Sequence, residues 1–122
     1  MKILGIDDNE DFLQLCNVVL TSAGHEYTAM DNCKEGLQAI KDKKFGLVLL
    51  DLSMPDFCGE DVIDALVKEG IMDNQKIIVF TASTATKKEF EPLLEKGVHS
   101  IMKKPSDIDD LIETIKKMPS DV

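Results

Sequence analysis

The sequence predicts an α/β fold with a parallel sheet, in which five strands and five helices alternate. Short apolar runs suited to strands alternate along the chain with longer segments whose apolar residues recur at helical spacing. Gly24, Gly70 and Gly97 follow three of the helical segments, where a left-handed C-terminal cap is expected. Strands that alternate with helices in this way are typical of α/β domains.

The strand candidates differ in how apolar they are. The first, third and fourth are largely continuous apolar runs, as expected for strands that are covered on both faces. The second is more polar, which suits the edge of a sheet. The five predicted strands are Lys2–Ile6, Glu26–Met30, Leu47–Leu50, Lys76–Phe80 and Ser100–Met102.

The last helical segment has the clearest pattern, because its apolar residues fall on one stripe. Ser106 or Asp107 can cap its N-terminus. Pro92 lies inside the fourth segment and predicts a late start, a kink or a short helix there. The five predicted helices are Glu10–Ala23, Cys33–Lys41, Glu60–Lys68, Lys87–Lys96 and Ile108–Met118.

The size, charge and residue composition of the chain exclude several classes of partner and binding site. The chain has 122 residues, which suits one domain, and its net charge of -9 argues against nucleic acid or an anionic membrane as the main partner. Every basic residue is a lysine, so an arginine clamp on phosphate is impossible within the chain. Cys16, Cys33 and Cys58 form no CxxC pair, which indicates a reducing compartment. We expect a cytoplasmic monomer without a secretory leader or a membrane span.

Polar side chains follow four of the five predicted strands. Asp7 and Asp8 come directly after the first strand, and Asp51 ends the third. Thr81 follows the fourth strand, and Lys104 comes soon after the fifth. The carboxyl ends of parallel strands lie at one edge of the sheet, where doubly wound folds bind ligands. The sequence therefore predicts that three acids, a hydroxyl and an ammonium group converge at that edge.

The chemistry of three adjacent acids points to a hard cation. Neighbouring carboxylates repel one another unless a cation neutralises them. Their oxygen ligands favour Mg²⁺, Mn²⁺ or Ca²⁺ over zinc, and His25 and His99 are too few and too scattered to form a nitrogen site. Two or three carboxylates without a dedicated ligand loop suit Mg²⁺, which keeps its waters and shares itself with a phosphate.

Each of these residues also has a purely structural interpretation. The Asp7-Asp8 pair could cap the next helix, because Asp is a favoured N-cap residue. A threonine at a strand end is ordinary, since β-branched residues favour strands. Lys104 before Pro105 is typical of a surface turn. The joint occurrence of polar residues at four strand ends makes the structural interpretation the weaker one.

The chain resembles a receiver domain of two-component signalling, of the single-domain CheY-like kind. The matching residues span nearly the whole chain: Ile6-Asp7-Asp8, Asp51-Leu52-Ser53-Met54-Pro55, Gly59, Thr81-Ala82, Gly97 and Lys104-Pro105. The resemblance implies a flavodoxin-like doubly wound (βα)5 fold with a five-stranded parallel sheet of order 2-1-3-4-5. From the length of the chain we expect a single receiver domain over residues 1–122, with no output domain.

The resemblance implies the metal site as well. Asp8, Asp51 and the backbone carbonyl of Ser53 are expected to bind Mg²⁺ directly, and Asp7 to act mainly through water.

The same resemblance implies the reaction. Asp51 accepts a phosphoryl group from a histidine kinase or a phosphotransfer protein, Lys104 pairs with the phosphoryl oxygens, and Thr81 hydrogen-bonds the group. A carboxylate can be such a nucleophile, and phosphoryl transfer depends mostly on positioning and charge neutralisation. We expect a signalling domain that catalyses only its own phosphoryl transfer and dephosphorylation, and that switches the binding of a downstream protein target.

The chain departs from the family pattern at one position. Receiver domains commonly carry Tyr or Phe where this chain has Ile101, so the output change is expected to run mainly through Ser83–Lys96. Ser53 and Ser83 flank the acceptor in the family and are small here. They predict good access for water and a phosphoryl group that is not unusually long-lived; two ordinary loop serines are the alternative.

Three other functions compete with this interpretation. A flavodoxin-like cofactor binder needs a Ser/Thr/Gly-rich phosphate loop after the first strand, where this chain has Asp7-Asp8-Asn9-Glu10-Asp11. A phosphatase of the haloacid dehalogenase type needs a second Asp where Ser53 stands. The third alternative is an interaction module that has lost phosphorylation, and the intact set of acids, Thr and Lys argues against it.

Overall fold

The computed structural model describes residues 2–43, 45–52, 59–71, 75–81, 87–103 and 108–117. The strands are β1 (Lys2–Ile6), β2 (Glu26–Met30), β3 (Leu47–Asp51), β4 (Ile77–Thr81) and β5 (Ser100–Lys103). The helices are α1 (Glu10–Ser22), α2 (Cys33–Asp42), α3 (Gly59–Lys68), α4 (Lys87–Glu95) and α5 (Ile108–Lys117). Every predicted element is present, and its ends fall within one residue of the prediction.

The five strands form one parallel sheet of order β2-β1-β3-β4-β5, which confirms the predicted fold. The polar strand β2 lies at an edge, as its composition predicted. The chain order reverses between β1 and β3. In doubly wound sheets ligands bind outside the carboxyl ends of the strands at this reversal. The topology alone therefore predicts a binding site at the carboxyl ends of β1 and β3.

Two hydrophobic clusters cover the two faces of the sheet. Successive residues of a strand point to opposite faces, which explains why the central strands are apolar along their whole length. One face packs on α2, α3 and α4 through Leu4, Ile6, Val48, Leu50, Ile77 and Val79. The other packs on α1 and α5 through Ile3, Leu47, Leu49, Ile78 and Phe80.

The ends of three helices match the sequence. Gly24, Gly70 and Gly97 have positive φ angles of 91°, 73° and 112°, the conformation predicted for them. Pro92 lies inside α4, which begins at the predicted residue, so the late start that the proline suggested was wrong. In the part of the chain that the structure describes, no helix combines the length and hydrophobicity needed to cross a bilayer.

Candidate functional site

Two acids leave the sheet side by side at the chain reversal. Ile6 of β1 lies opposite Leu50 of β3, so the next residues, Asp7 and Asp51, are neighbours at the carboxyl edge. Both residues are buried, with 2% and 1% of their surface exposed. Buried charge is costly unless it is compensated, so two adjacent buried carboxylates indicate a site that holds a positive charge.

Asp8 completes an acid cluster with these two residues. One carboxylate oxygen from each of Asp7, Asp8 and Asp51 can be chosen so that the three lie within 4.8 Å of one another. Asp8 is exposed, which gives the cluster access to solvent. Three carboxylate oxygens at this spacing form a donor set suited to a hard divalent cation, and they fit Mg²⁺ with water completing its coordination.

The helix that follows the acids is capped by Asn9. The Asn9 side chain accepts a hydrogen bond from the Phe12 backbone N–H at 3.2 Å, and Asp7 Oδ1 accepts one from the Asn9 backbone N–H at 2.9 Å. The alternative that the acid pair itself caps α1 is therefore wrong. Sequence reasoning missed Asn9, although Asn is among the favoured N-cap residues.

Thr81 lies beside the acid cluster in the next strand. Phe80 of β4 pairs with Asp51, and Thr81 is the following residue, buried at the carboxyl edge. Thr81 pairs in turn with Lys103, one residue before Lys104. Several residues discussed from the sequence lie outside the part that the structure describes, so what was expected of them stays a prediction: Ser53, Cys58, Ser83, Lys104, Ser106 and Asp107.

Ile101 occupies the position at which receiver domains commonly carry an aromatic residue. It lies on β5 opposite Val79 of β4. Its side chain is half-buried and packs on the hydrophobic cluster that faces α2, α3 and α4. An aliphatic side chain therefore takes part in the core at this position.

Tyr27 is a residue near the acids that sequence reasoning missed. It lines a small cavity with Asp7, Cys16 and Asp51 on the α1 face of the sheet. Burial raises the pKa of the Tyr27 hydroxyl well above its usual value, and the Cys16 thiol and the Asp7 carboxylate raise it further. A signal was present in the sequence, since the glycine inside β1 marks a place where another group can approach closely.

A second, wider cavity lies away from the acids. It has a volume of about 490 Å³ and runs between β2 and α2. Its lining mixes Lys2 and Lys43 with Glu26, Glu35 and Asp42, and includes none of the predicted site residues. Mixed charge of this kind selects no class of ligand, so the acid cluster is the better candidate site.

Comparison with known proteins agrees with this geometry. A family model described as the response regulator receiver domain matches residues 3–116. The polar-differentiation response regulator DivK of Brucella anthropi is 26% identical over 98% of this chain and 97% of its own length. The sensor protein GacS of Pseudomonas syringae is 28% identical over 95% of this chain, which spans only 13% of GacS. The response regulator TrrA of Thermotoga maritima, solved in complex with Mg²⁺-BeF, is 27% identical over 95% of this chain and 96% of its own, with a TM-score of 0.79.

Proposed function

Since this chain belongs to the response regulator receiver domain family of two-component signalling, we propose that Asp51 accepts a phosphoryl group from a histidine kinase or a phosphotransfer protein. The observation that carries the proposal is the cluster of Asp7, Asp8 and Asp51 at the chain reversal of the sheet. Asp51 is the buried acid at the end of the central strand β3, flanked by β1 and β4. It is therefore the carboxylate most firmly positioned by the sheet.

In the reaction, a carboxylate oxygen of Asp51 forms a bond to phosphorus while the bond from phosphorus to the donor nitrogen breaks. The product is an aspartyl phosphate. The sheet holds Asp51 in place at its carboxyl edge, between β1 and β4. Lys104, as the family resemblance implies, neutralises the charge on the phosphoryl oxygens, a role that arginine cannot take in this arginine-free sequence.

Asp7, Asp8 and Asp51 would hold Mg²⁺, together with the backbone carbonyl of Ser53. The ion supplies positive charge that neutralises the phosphoryl group during transfer. Asp8 is the exposed acid of the cluster, and it contributes a carboxylate oxygen that faces solvent. Asp7 is buried, and its Oδ1 already accepts a hydrogen bond from the Asn9 backbone N–H. This arrangement is consistent with Asp8 as a direct ligand and Asp7 as one that acts mainly through water.

Phosphorylation then changes partner binding through Thr81. The phosphoryl group brings strong acceptor oxygens beside the Thr81 hydroxyl. A hydrogen bond to a charged group contributes about 1.5–3 kcal/mol, which shifts a two-state equilibrium roughly tenfold to a hundredfold. The segment after Thr81 leads into α4, which we propose as the part of the domain that moves. Dephosphorylation by water returns the domain to its first state without turnover of a separate substrate.

The test is incubation with acetyl phosphate and Mg²⁺, followed by intact-mass measurement. We expect an adduct of one phosphoryl group that is lost in Asp51→Asn and retained in Asp11→Asn, which alters an exposed acid on α1 outside the cluster. An adduct that survives in Asp51→Asn would place the acceptor elsewhere. No adduct on the unaltered protein would overturn the proposed function.

A further inference from the structure

The ring of Tyr27 occupies the space next to Gly5. A Cβ atom added to Gly5 would collide with the Tyr27 hydroxyl oxygen and would lie 2.7 Å from its Cζ. Gly5 lies two residues before Asp7, so both residues face the same side of the sheet. The absence of a side chain on Gly5 therefore allows a phenol from the edge strand to reach the side of β1 from which the Asp7 carboxylate projects.

A small cavity is lined by both this phenol and the two buried acids. Its volume is about 10 Å³, close to the smallest that holds one water molecule. Among its lining residues the polar ones are Asp7, Cys16, Tyr27 and Asp51, and the rest of the wall is mainly apolar. The cavity therefore has the size for a single water and the two to four polar partners that a buried water requires.

The Tyr27 hydroxyl needs such a partner. Its oxygen is buried, and no described residue reaches it with an ordinary hydrogen bond. The Cys16 thiol can share a hydrogen bond with it, but a thiol is only a weak donor and acceptor. A buried phenol with no strong partner is unfavourable, whereas a phenol that donates to a water beside two carboxylates is well satisfied.

We propose that Tyr27 is a positioning residue for the acid cluster. Its hydroxyl donates a hydrogen bond to one water in this cavity, and that water donates its two hydrogens to the carboxylates of Asp7 and Asp51. The water and the phenol fix the inward oxygens of both acids, so that the outward oxygens are directed toward the cation. The inference rests on the proposed function, because it supports the carboxylates that would bind the ion.

The expected effect of Tyr27 on Mg²⁺ affinity follows from its position, since its hydroxyl acts on the carboxylates of Asp7 and Asp51 from the side away from the ion. Groups that hydrogen-bond metal ligands from behind orient them, and their removal commonly lowers metal affinity about 10- to 100-fold. Tyr27→Phe keeps the ring beside Gly5 and removes only the hydroxyl. We therefore expect Mg²⁺ affinity to fall about tenfold in this variant, a change that a merely space-filling ring would not produce.

The experiment is a calorimetric titration with Mg²⁺ of the unaltered protein, Tyr27→Phe and Thr28→Val. Thr28→Val is the matched control, because it removes a hydroxyl from the same strand at an exposed position that does not line the small cavity. We expect its affinity to match that of the unaltered protein. A Tyr27→Phe affinity within twofold of the unaltered protein would overturn the inference while leaving Mg²⁺ binding, and hence the proposed function, intact.

A crystal structure of the unaltered protein gives a second test that does not depend on how the variant folds. We expect an ordered water within hydrogen-bond distance of Tyr27 Oη and of carboxylate oxygens of Asp7 and Asp51. Direct packing of the phenol on the acids, with no water between them, would overturn the proposed bridge. Failure of the unaltered protein to bind Mg²⁺ at all would instead overturn the proposed metal site and the role of Tyr27 with it.

Discussion

Asp7 and Asn9 are joined by a hydrogen bond of 2.9 Å that ties the acid cluster to the start of α1. Asn9 donates it from the backbone and uses its side chain to cap the helix at the N–H of Phe12. The Phe12 ring packs edge-on against Phe80, with ring centroids 5.1 Å apart. Phe80 pairs with Asp51 in the sheet. The residues that stabilise the first turn of α1 thus also fix the surroundings of both buried acids.

The first prediction concerns this cap. Asn9→Ala removes the side-chain acceptor for the Phe12 N–H, which we expect to lower the free energy of unfolding by about 1 kcal/mol. It also loosens the segment that carries Asp7 and Asp8, so phosphorylation by acetyl phosphate should slow. Urea denaturation measures the first effect, and the rate of mass increase measures the second.

Asn32→Ala is the matched control for that prediction. Asn32 caps α2 in the same way, since its side chain accepts from the Glu35 N–H at 2.8 Å, and it is not followed or preceded by a member of the acid cluster. We expect a similar loss of stability with an unchanged rate of phosphorylation. An equal slowing in both variants would mean that the rate follows overall stability and not the local anchoring of the acids.

The helices and strands could be predicted from the sequence because they follow from the local pattern of apolar residues. The acid cluster could be predicted because its members follow strands that end at one edge of the sheet. Apolar runs located the strands, and parallel strands bring Asp7 and Asp51 to one edge whatever their order. The role of Tyr27 was beyond such reasoning, since it depends on β2 being the neighbour of β1. Periodicity does not determine strand order, which came only from the family resemblance. The choice of Asn9 over the acids as the cap was equally hidden, because all three are favoured cap residues.

The second prediction concerns the packing of α2 on β1. A Cβ atom on Gly36 would collide with the end of the Ile6 side chain and lie 2.7 Å from its Cγ1. Ile6 is fully buried, so we expect Gly36→Ala to destabilise by about 1–2 kcal/mol, even though Ala is the better helix former. In an Ile6→Ala background the same change should stabilise by up to about 1 kcal/mol. A double-mutant cycle in urea measures this difference, and an equal cost in both backgrounds would contradict it.

The third prediction separates charge repulsion from cation binding at the acid cluster. Without divalent ions, Asp8→Asn removes one of three adjacent negative charges, so its melting temperature should exceed that of the unaltered protein. A ligand that binds only the folded state stabilises it by an amount that grows with the logarithm of the ligand concentration relative to its dissociation constant. Added Mg²⁺ should therefore raise the melting temperature of the unaltered protein more than that of Asp8→Asn. Thermal denaturation in EDTA and in MgCl₂ measures both effects.

Asp11→Asn is the control for this experiment. Asp11 is an exposed acid of α1 that lies outside the cluster. Its substitution should leave the Mg²⁺-dependent rise in melting temperature unchanged. If Asp8→Asn gained as much from Mg²⁺ as the unaltered protein, Asp8 would not be a ligand of the ion.

The fourth prediction concerns His25, at the junction between α1 and β2. Burial lowers the pKa of His25 in the folded protein below its ordinary value of 6.5, so the unfolded chain takes up the proton more readily. Stability therefore rises with pH: the neutral form contributes fully above the unfolded pKa, and that contribution is lost as the pH falls through 6.5 towards the lower folded pKa. The free energy of unfolding should consequently increase more between about pH 5 and 7.5 in the unaltered protein than in His25→Gln.

His99→Gln is the control, since it alters the exposed second histidine of the chain and should retain the steeper rise. Identical pH profiles for His25→Gln and the unaltered protein would show that the partly buried imidazole contributes nothing to this dependence.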